Sequence, residues 1–196
     1  MQFIFYTDLT PKEYSELVDL DSIVPHPKSC LNPACRLPIP PKKHDFYERN
    51  CIDIDFAGRI RIRRYYCPYC GMTFSYLPAF CLPFFQYSLR IIVLNLRCHF
   101  FRLLPFLIGF IRAHQLSLQR QHRQFYARRF LANLKRIQIV LRELLPGLVL
   151  PDEQDIRKGA QKVLRIIRRG FSQFQTFSPR FFAQCNHSFM APCRLF

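Results

Sequence analysis

Two pairs of cysteines set the strongest constraint on how this chain folds. They read Cys30-Leu-Asn-Pro-Ala-Cys35 and Cys67-Pro-Tyr-Cys70-Gly71. A short Cys-x(2–4)-Cys loop presents two sulfurs from one tight turn, and two such loops supply the four corners of a tetrahedral thiolate site, which zinc prefers. Pro68 shapes the second turn, and Gly71 lets backbone amides swing toward the sulfurs without a side-chain clash. A catalytic zinc keeps one position open, usually with His or water, whereas four cysteines close the sphere. Cys30, Cys35, Cys67 and Cys70 are therefore expected to hold one structural Zn2+. An iron–sulfur cluster would accept the same thiolates. A redox Cys-x-x-Cys needs a β-α context, and here the motif is read as ending a strand before a loop. Unconnected buried thiols are the remaining alternative. A segment this small has little core, so a metal would supply much of its folding free energy, on the order of ten kcal/mol.

The sequence between the pairs has strand period. Ile52, Ile54 and Phe56 alternate with Asp53 and Asp55; after Ala57-Gly58, Ile60 and Ile62 alternate with Arg59, Arg61 and Arg63. This predicts a β-hairpin over 44–66 turning at the glycine, with an acidic arm facing a basic one. Upstream, FIFY is a short strand candidate. Thr10-Pro11-Lys12-Glu13 is a capping box that should open a helix over 11–20.

Beyond Gln86 the period becomes helical, with helices expected over 86–101, 103–114, 117–145 and 152–170. Leu131, Leu134, Ile137, Leu141 and Leu144 give the third its apolar stripe, and Pro146-Gly147 stops it. The carboxylates at 152, 153 and 155 fall where the next helix starts and its dipole favours them. The aromatic tail after Ser172 carries no readable pattern. The expected fold class is α+β: an N-terminal strand and helix (1–21), a zinc ribbon made of a β-hairpin and two cysteine knuckles (22–80), an all-α helix-turn-helix-like segment (81–150), and a C-terminal helix with an irregular tail (151–196).

Charge is lopsided. Twenty-nine Lys and Arg face thirteen Asp and Glu, a formal +16, and no acid occurs between Asp55 and Glu143. That interval holds fourteen Arg and one Lys. Such a field attracts polyanions, nucleic acid above all. The bland alternative is a well-solvated basic surface, against which stands the preference for Arg, whose planar fork suits phosphates and base edges. The apolar run FSYLPAFCLPFFQYSLRIIVLNLRCHFFRLLPFLIGFI is cut by Arg90, Arg97 and Arg102 into pieces shorter than the roughly 18–20 residues of a membrane span, and Pro78, Pro83 and Pro105 break it further. It reads as buried helices. The opening MQFIFYTDLTPKEYSE lacks the basic start and long apolar run of a signal peptide, so reduced thiols and a cytoplasmic location are expected. Of the other five cysteines, Cys185 and Cys193 flank His187 as an irregularly spaced second metal candidate; all five read more simply as small apolar residues.

The run Arg63-Arg64-Tyr65-Tyr66-Cys67-Pro-x-Cys70-Gly71, followed by Thr73-Phe74-Ser75-x-Leu77-Pro78, Pro83 and Tyr87-Ser88, resembles the amino-terminal zinc ribbons of bacterial insertion-sequence transposases and related short bacterial proteins in which a helix-turn-helix segment follows the ribbon. The resemblance covers about 28–145 and extends to Arg128-Arg129-Phe130-Leu131-Ala132-Asn133-Leu134. It implies double-stranded DNA as partner, with the chain acting as a homodimer or beside a separately encoded transposase subunit. Two departures stand out. The first knuckle has four residues between its cysteines where two are usual. The Trp common among the recognition-helix arginines is missing, with Phe125 and Tyr126 in that neighbourhood.

Read without the family, LLPFLIGFIRAHQ is an apolar helix, Gln115-Leu116 a turn, and Ser117 the N-cap of LQRQHRQFYARRF. The first two turns of that helix carry Gln119, Arg120, Gln121, Arg123 and Gln124, side chains able to pair with adenine or guanine edges in the major groove. Arg128 and Arg129 follow as phosphate contacts, joined by Arg61, Arg63 and Arg64 of the hairpin. The alternative is an amphipathic helix with a wet basic face. No Gly-rich phosphate loop, Ser-His-Asp order or His-Glu-x-x-His occurs, and the acids needed for two-metal DNA cleavage are missing from the long basic interval. The expectation is a binding protein with no enzymatic activity and no small-molecule substrate or membrane, the second class being a zinc-stabilised RNA- or protein-interaction module.

Overall fold

The computed structural model of the chain describes residues 1–35, 38–103, 119–150, 153–171 and 173–192. It is α+β, with a four-stranded mixed sheet and, among the described residues, six helices. The chain divides into two units, Met1–Ser88 and Leu89–Phe196. The expected boundaries near 21 and 80 are not where it divides. Leu20 and Val24 share a core with Ile60 and Ile62, and residues after 80 stay with the first unit: Ser88 Oγ donates to the buried Asp53 carboxylate at 2.6 Å.

The first unit holds the sheet. Strands β1 (Gln2–Phe5), β2 (Lys42–Ile52), β3 (Ala57–Tyr66) and β4 (Thr73–Pro78) lie in the order β1-β4-β3-β2. β2 and β3 pair antiparallel, as do β3 and β4, and β1 runs parallel to β4. Helix α1 (Pro11–Glu16) begins at the expected capping box: Thr10 Oγ1 accepts from the Glu13 amide and Glu13 accepts from the Thr10 amide, a cap worth about 1 kcal/mol. It ends earlier than expected, at Glu16. Tyr14 anchors it, edge-on to Phe80 at 5.4 Å and donating to the Arg61 carbonyl.

The hairpin differs from its expected form in three respects. β2 ends at Ile52, and Asp53–Phe56 make the turn, closed by the Asp53 amide donating to the Phe56 carbonyl, so Ala57-Gly58 open β3. The cause is the Asp53 side chain, which turns inward to Ser88 and does not continue the strand's alternation. Charge does pair across the strands, with other acids: Arg59 meets Glu48 and Arg64 meets Asp45, each at 3.0 Å. Finally, Cys67–Cys70 does not lead into a loop. The chain turns at Gly71 and re-enters the sheet as β4.

The second unit is helical: α2 (Leu89–Phe101), α3 (Arg120–Ala132), α4 (Leu134–Leu144), α5 (Ile156–Gly170) and α6 (Phe174–Cys185). Its buried residues include Leu96, Phe100, Phe130, Ile137, Leu141, Val163, Ile167, Phe177 and Phe181. The stripe predicted over 117–145 is divided at Asn133, a buried side chain donating to the carbonyls of Arg129 and Ala191. Asp155 caps α5 by accepting from the amides of Arg157 and Lys158. The tail is ordered into α6 despite Pro179, with Phe177 and Phe181 four apart and both in contact with Phe189. The expected helix over 103–114 and the turn that follows lie almost wholly outside the described residues, as does Ser117. No helix among the described residues is long and apolar enough to cross a membrane.

Candidate metal centre and basic helices

Cys30 and Cys35 lie in the segment between α1 and β2; Cys67 and Cys70 lie in the connection between β3 and β4. The first loop is set by Asn32, whose carbonyl accepts from the Cys35 amide at 3.0 Å while its side chain accepts from Ala34. The second is set by the Gly71 amide donating to the Cys67 carbonyl (2.9 Å) and the Cys67 amide donating to Met72 (3.0 Å). Gly71 has φ +68°, the left-handed conformation that this turn requires and that a Cβ would strain.

The four sulfurs lie within 4.8 Å of one another, and Cys30 Sγ is 3.6 Å from Cys70 Sγ. A tetrahedral zinc with bonds of about 2.3 Å holds its sulfurs about 3.8 Å apart, so the cluster has the dimensions for one ion. None of the four is in a disulfide. Two of the thiols sit in opposite electrostatic settings. Burial pushes the Cys30 thiol up to about 12, against the Asn32 amide, which favours its thiolate. Burial also acts to raise Cys70, but the Met72 amide, the Asn32 side chain and the neighbouring thiols outweigh it and bring Cys70 down to about 7. Amides aimed at the sulfurs stabilise the negative charge that a metal requires of its ligands. Cys30 and Cys67 are themselves part of the core containing Ile60, Ile62 and Phe74, which joins the site to the sheet.

The other cysteines behave as apolar residues: Cys51, Cys81 and Cys98 are buried. Cys185 donates to the carbonyl of Phe181 at 3.1 Å, and Cys193 lies outside the described residues.

The hairpin arginines have partners within their own unit. Arg63 is buried, pairs with Asp21 at 2.8 Å, and lies 4.3 Å over the Phe46 ring. Asp21 also receives Lys43 at 2.8 Å. Arg61 donates to the carbonyls of Leu17 and Val18, and Arg64 is paired with Asp45. These contacts fold the segment after α1 onto the sheet. Nothing in the spacing of Asp21 and Arg63 could have announced their pair.

Helix α3 is different. It starts at Arg120, with Gln119 in the N-cap position and without a side-chain cap bond. Tyr126, Ala127 and Phe130 face the core, while Gln119, Arg120, Gln121, Gln124 and Arg128 are exposed and Arg123 and Arg129 are half-buried. The Arg129 guanidinium lies 5.2 Å over Phe125. Among the described residues, no carboxylate pairs with an arginine of α3. Helix α5 is also basic, with Lys158, Lys162, Arg165, Arg168 and Arg169 exposed. Its first-turn Arg157 is turned inward to the His99 carbonyl. Nothing in the sequence pattern of α5 marks these cations as a binding face.

Compared with known proteins, the chain matches no family model, no curated protein and no solved structure.

Proposed function

We propose that this chain is a zinc-stabilised DNA-binding protein, in which a zinc ribbon closed by Cys30, Cys35, Cys67 and Cys70 accompanies a helical unit that reads duplex DNA through α3. The observation that carries the reading is the division of α3 into an anchored apolar face (Tyr126, Ala127, Phe130) and an exposed face with Arg120, Gln121, Gln124 and Arg128. Gln and Arg at the start of a helix are the side chains that make paired hydrogen bonds to adenine and guanine, and Arg128 further along suits a phosphate. The zinc holds structure and takes no part in chemistry, its four positions being filled by protein sulfur. The chain acts without a catalytic core of its own, as a homodimer or beside a separately encoded subunit. Arg61, Arg63 and Arg64, already engaged within the first unit, are assigned no DNA contact.

Selection of the zinc-loaded protein against a random duplex pool tests this. A recovered motif, lost or relaxed in Arg120→Ala and Arg123→Ala but retained at lower affinity in Arg128→Ala, is the expected result. Each base-reading side chain contributes about 1–3 kcal/mol of discrimination. Equal behaviour of all three variants removes α3 as the reading element. Binding to RNA with no duplex motif replaces the proposal with an RNA-interaction module.

A further inference from the structure

Helices α2, α5 and α6 line an open-sided pocket of about 210 Å³ in the second unit. Arg97 of α2 and Arg165 and Arg168 of α5 stand around it, and Phe101, Leu164 and Phe174 form its apolar lining. Among the described residues none of the three arginines has a carboxylate partner. Like charges gathered at one cavity repel one another, and a phosphate relieves that repulsion while matching the guanidinium fork. Arg165 already lies 5.0 Å over the Phe101 ring, so a stack of guanidinium on aromatic face is in place. A second cavity, of about 520 Å³, shares Arg165 and is lined by Lys162, Arg169, Val149 and Ile166.

We propose that this pocket takes an unpaired nucleotide of a single-stranded nucleic acid, its base against Phe101 and Phe174 and its phosphates on Arg97, Arg165 and Arg168. An inorganic anion alone would leave the apolar lining unused. A drug-sized ligand needs about 300–1,000 Å³, more than the inner cavity has, whereas one base is a small planar body that stacks on aromatic side chains. A strand fits better than a free nucleotide because the cationic face continues along α5. From Lys162 to Arg169 it runs about 10 Å, at 1.5 Å of helix rise per residue, and the shared Arg165 places a second cavity beside the first for the neighbouring nucleotide. A base in an intact duplex is stacked in its helix and cannot enter. The site does not depend on α3 reading duplex DNA.

The test uses the zinc-loaded full chain and a short single strand carrying the fluorescent base 2-aminopurine. With an abasic site on either side the probe starts unstacked and bright, and stacking in the pocket quenches it. Phe174→Leu retains apolar volume but removes one of the two aromatic faces; it reduces the quenching and weakens binding about tenfold. The double variant Arg165→Gln, Arg168→Gln changes only exposed side chains, so it keeps the fold, and it weakens the strand by a similar factor. Both variants keep the duplex motif of the wild type, while Arg120→Ala relaxes that motif and keeps the strand; strand binding without a duplex motif thus leaves the pocket standing and removes the recognition helix. An unquenched probe overturns the proposal, as does wild-type affinity for the strand in the double arginine variant. Displacement of the strand by an equal concentration of adenosine monophosphate overturns the strand as occupant.

Discussion

In the first unit Arg59, Arg63 and Arg64 each meet a carboxylate and Arg61 meets two carbonyls; in the second, α3 and α5 turn Arg120, Arg128, Arg165, Arg168 and Arg169 outward with no acid against them among the described residues. The same residue type thus does two kinds of work. In the sheet unit it joins elements distant in sequence, and its field is largely cancelled at short range. In the helical unit the charge is available to a polyanion. Net charge over a basic interval therefore does not locate a binding surface; partners do. The four-cysteine cluster sharpens the contrast, because it lies in the unit whose charges are internal.

The strongest way to break this comparison is to remove the metal. Chelation, or Cys67→Ser, should unfold Met1–Ser88, with a loss on the order of ten kcal/mol of metal-linked stability, while the helical far-ultraviolet signal of Leu89–Phe196 persists. Joint loss of both units would show that their stabilities are not separable. A smaller effect comes from the acid that holds Arg63. Asp21→Ala leaves a buried guanidinium without its carboxylate and should cost the first unit about 2–3 kcal/mol in denaturant unfolding, the partial exposure of Asp21 reducing the full penalty. In the second unit Glu153→Ala removes only the exposed pairing of Lys162 and should cost about 0.5 kcal/mol or less. Equal costs would erase the distinction drawn between the units.

A separate effect is expected at alkaline pH. Burial raises the phenols of Tyr14, Tyr65 and Tyr76, Tyr76 to about 12 from 10.0. A raised pKa favours the neutral form in the fold, so its contribution is complete below pH 10 and is lost as pH rises through about 12. All three belong to the first unit, which should loosen in that window, read as delayed tyrosinate absorbance followed by release of the sheet. Tyrosinate appearing at the ordinary pH would remove the burial argument.

The parts legible in the sequence were those fixed by neighbours in the chain. Thr10 and Glu13 are three apart and cap α1 as read; Cys67, Cys70 and Gly71 specify a knuckle within five residues, and the four predicted sulfurs converge. The parts that escaped were decided across long separations. Asp53 leaves its strand for Ser88, moving the turn from Ala57-Gly58 to Asp53–Phe56. Asn133 divides the predicted long helix through its bond to Ala191. β4 joins the sheet beside β1, a parallel pairing that no local pattern announces. In α6, Pro179 and the crowd of aromatic residues hide a helix stabilised by Phe189 from beyond its end.

The claim on which the account rests is that four thiolates hold one metal ion, and cobalt substitution tests it most directly. One equivalent of Co2+ per chain should give the visible spectrum of a tetrahedral tetrathiolate site, one equivalent of Zn2+ should displace it, and Cys30→Ser or Cys70→Ser should lose that spectrum. A folded protein that takes up no cobalt and whose Cys30, Cys35, Cys67 and Cys70 all remain open to a thiol reagent would contradict it.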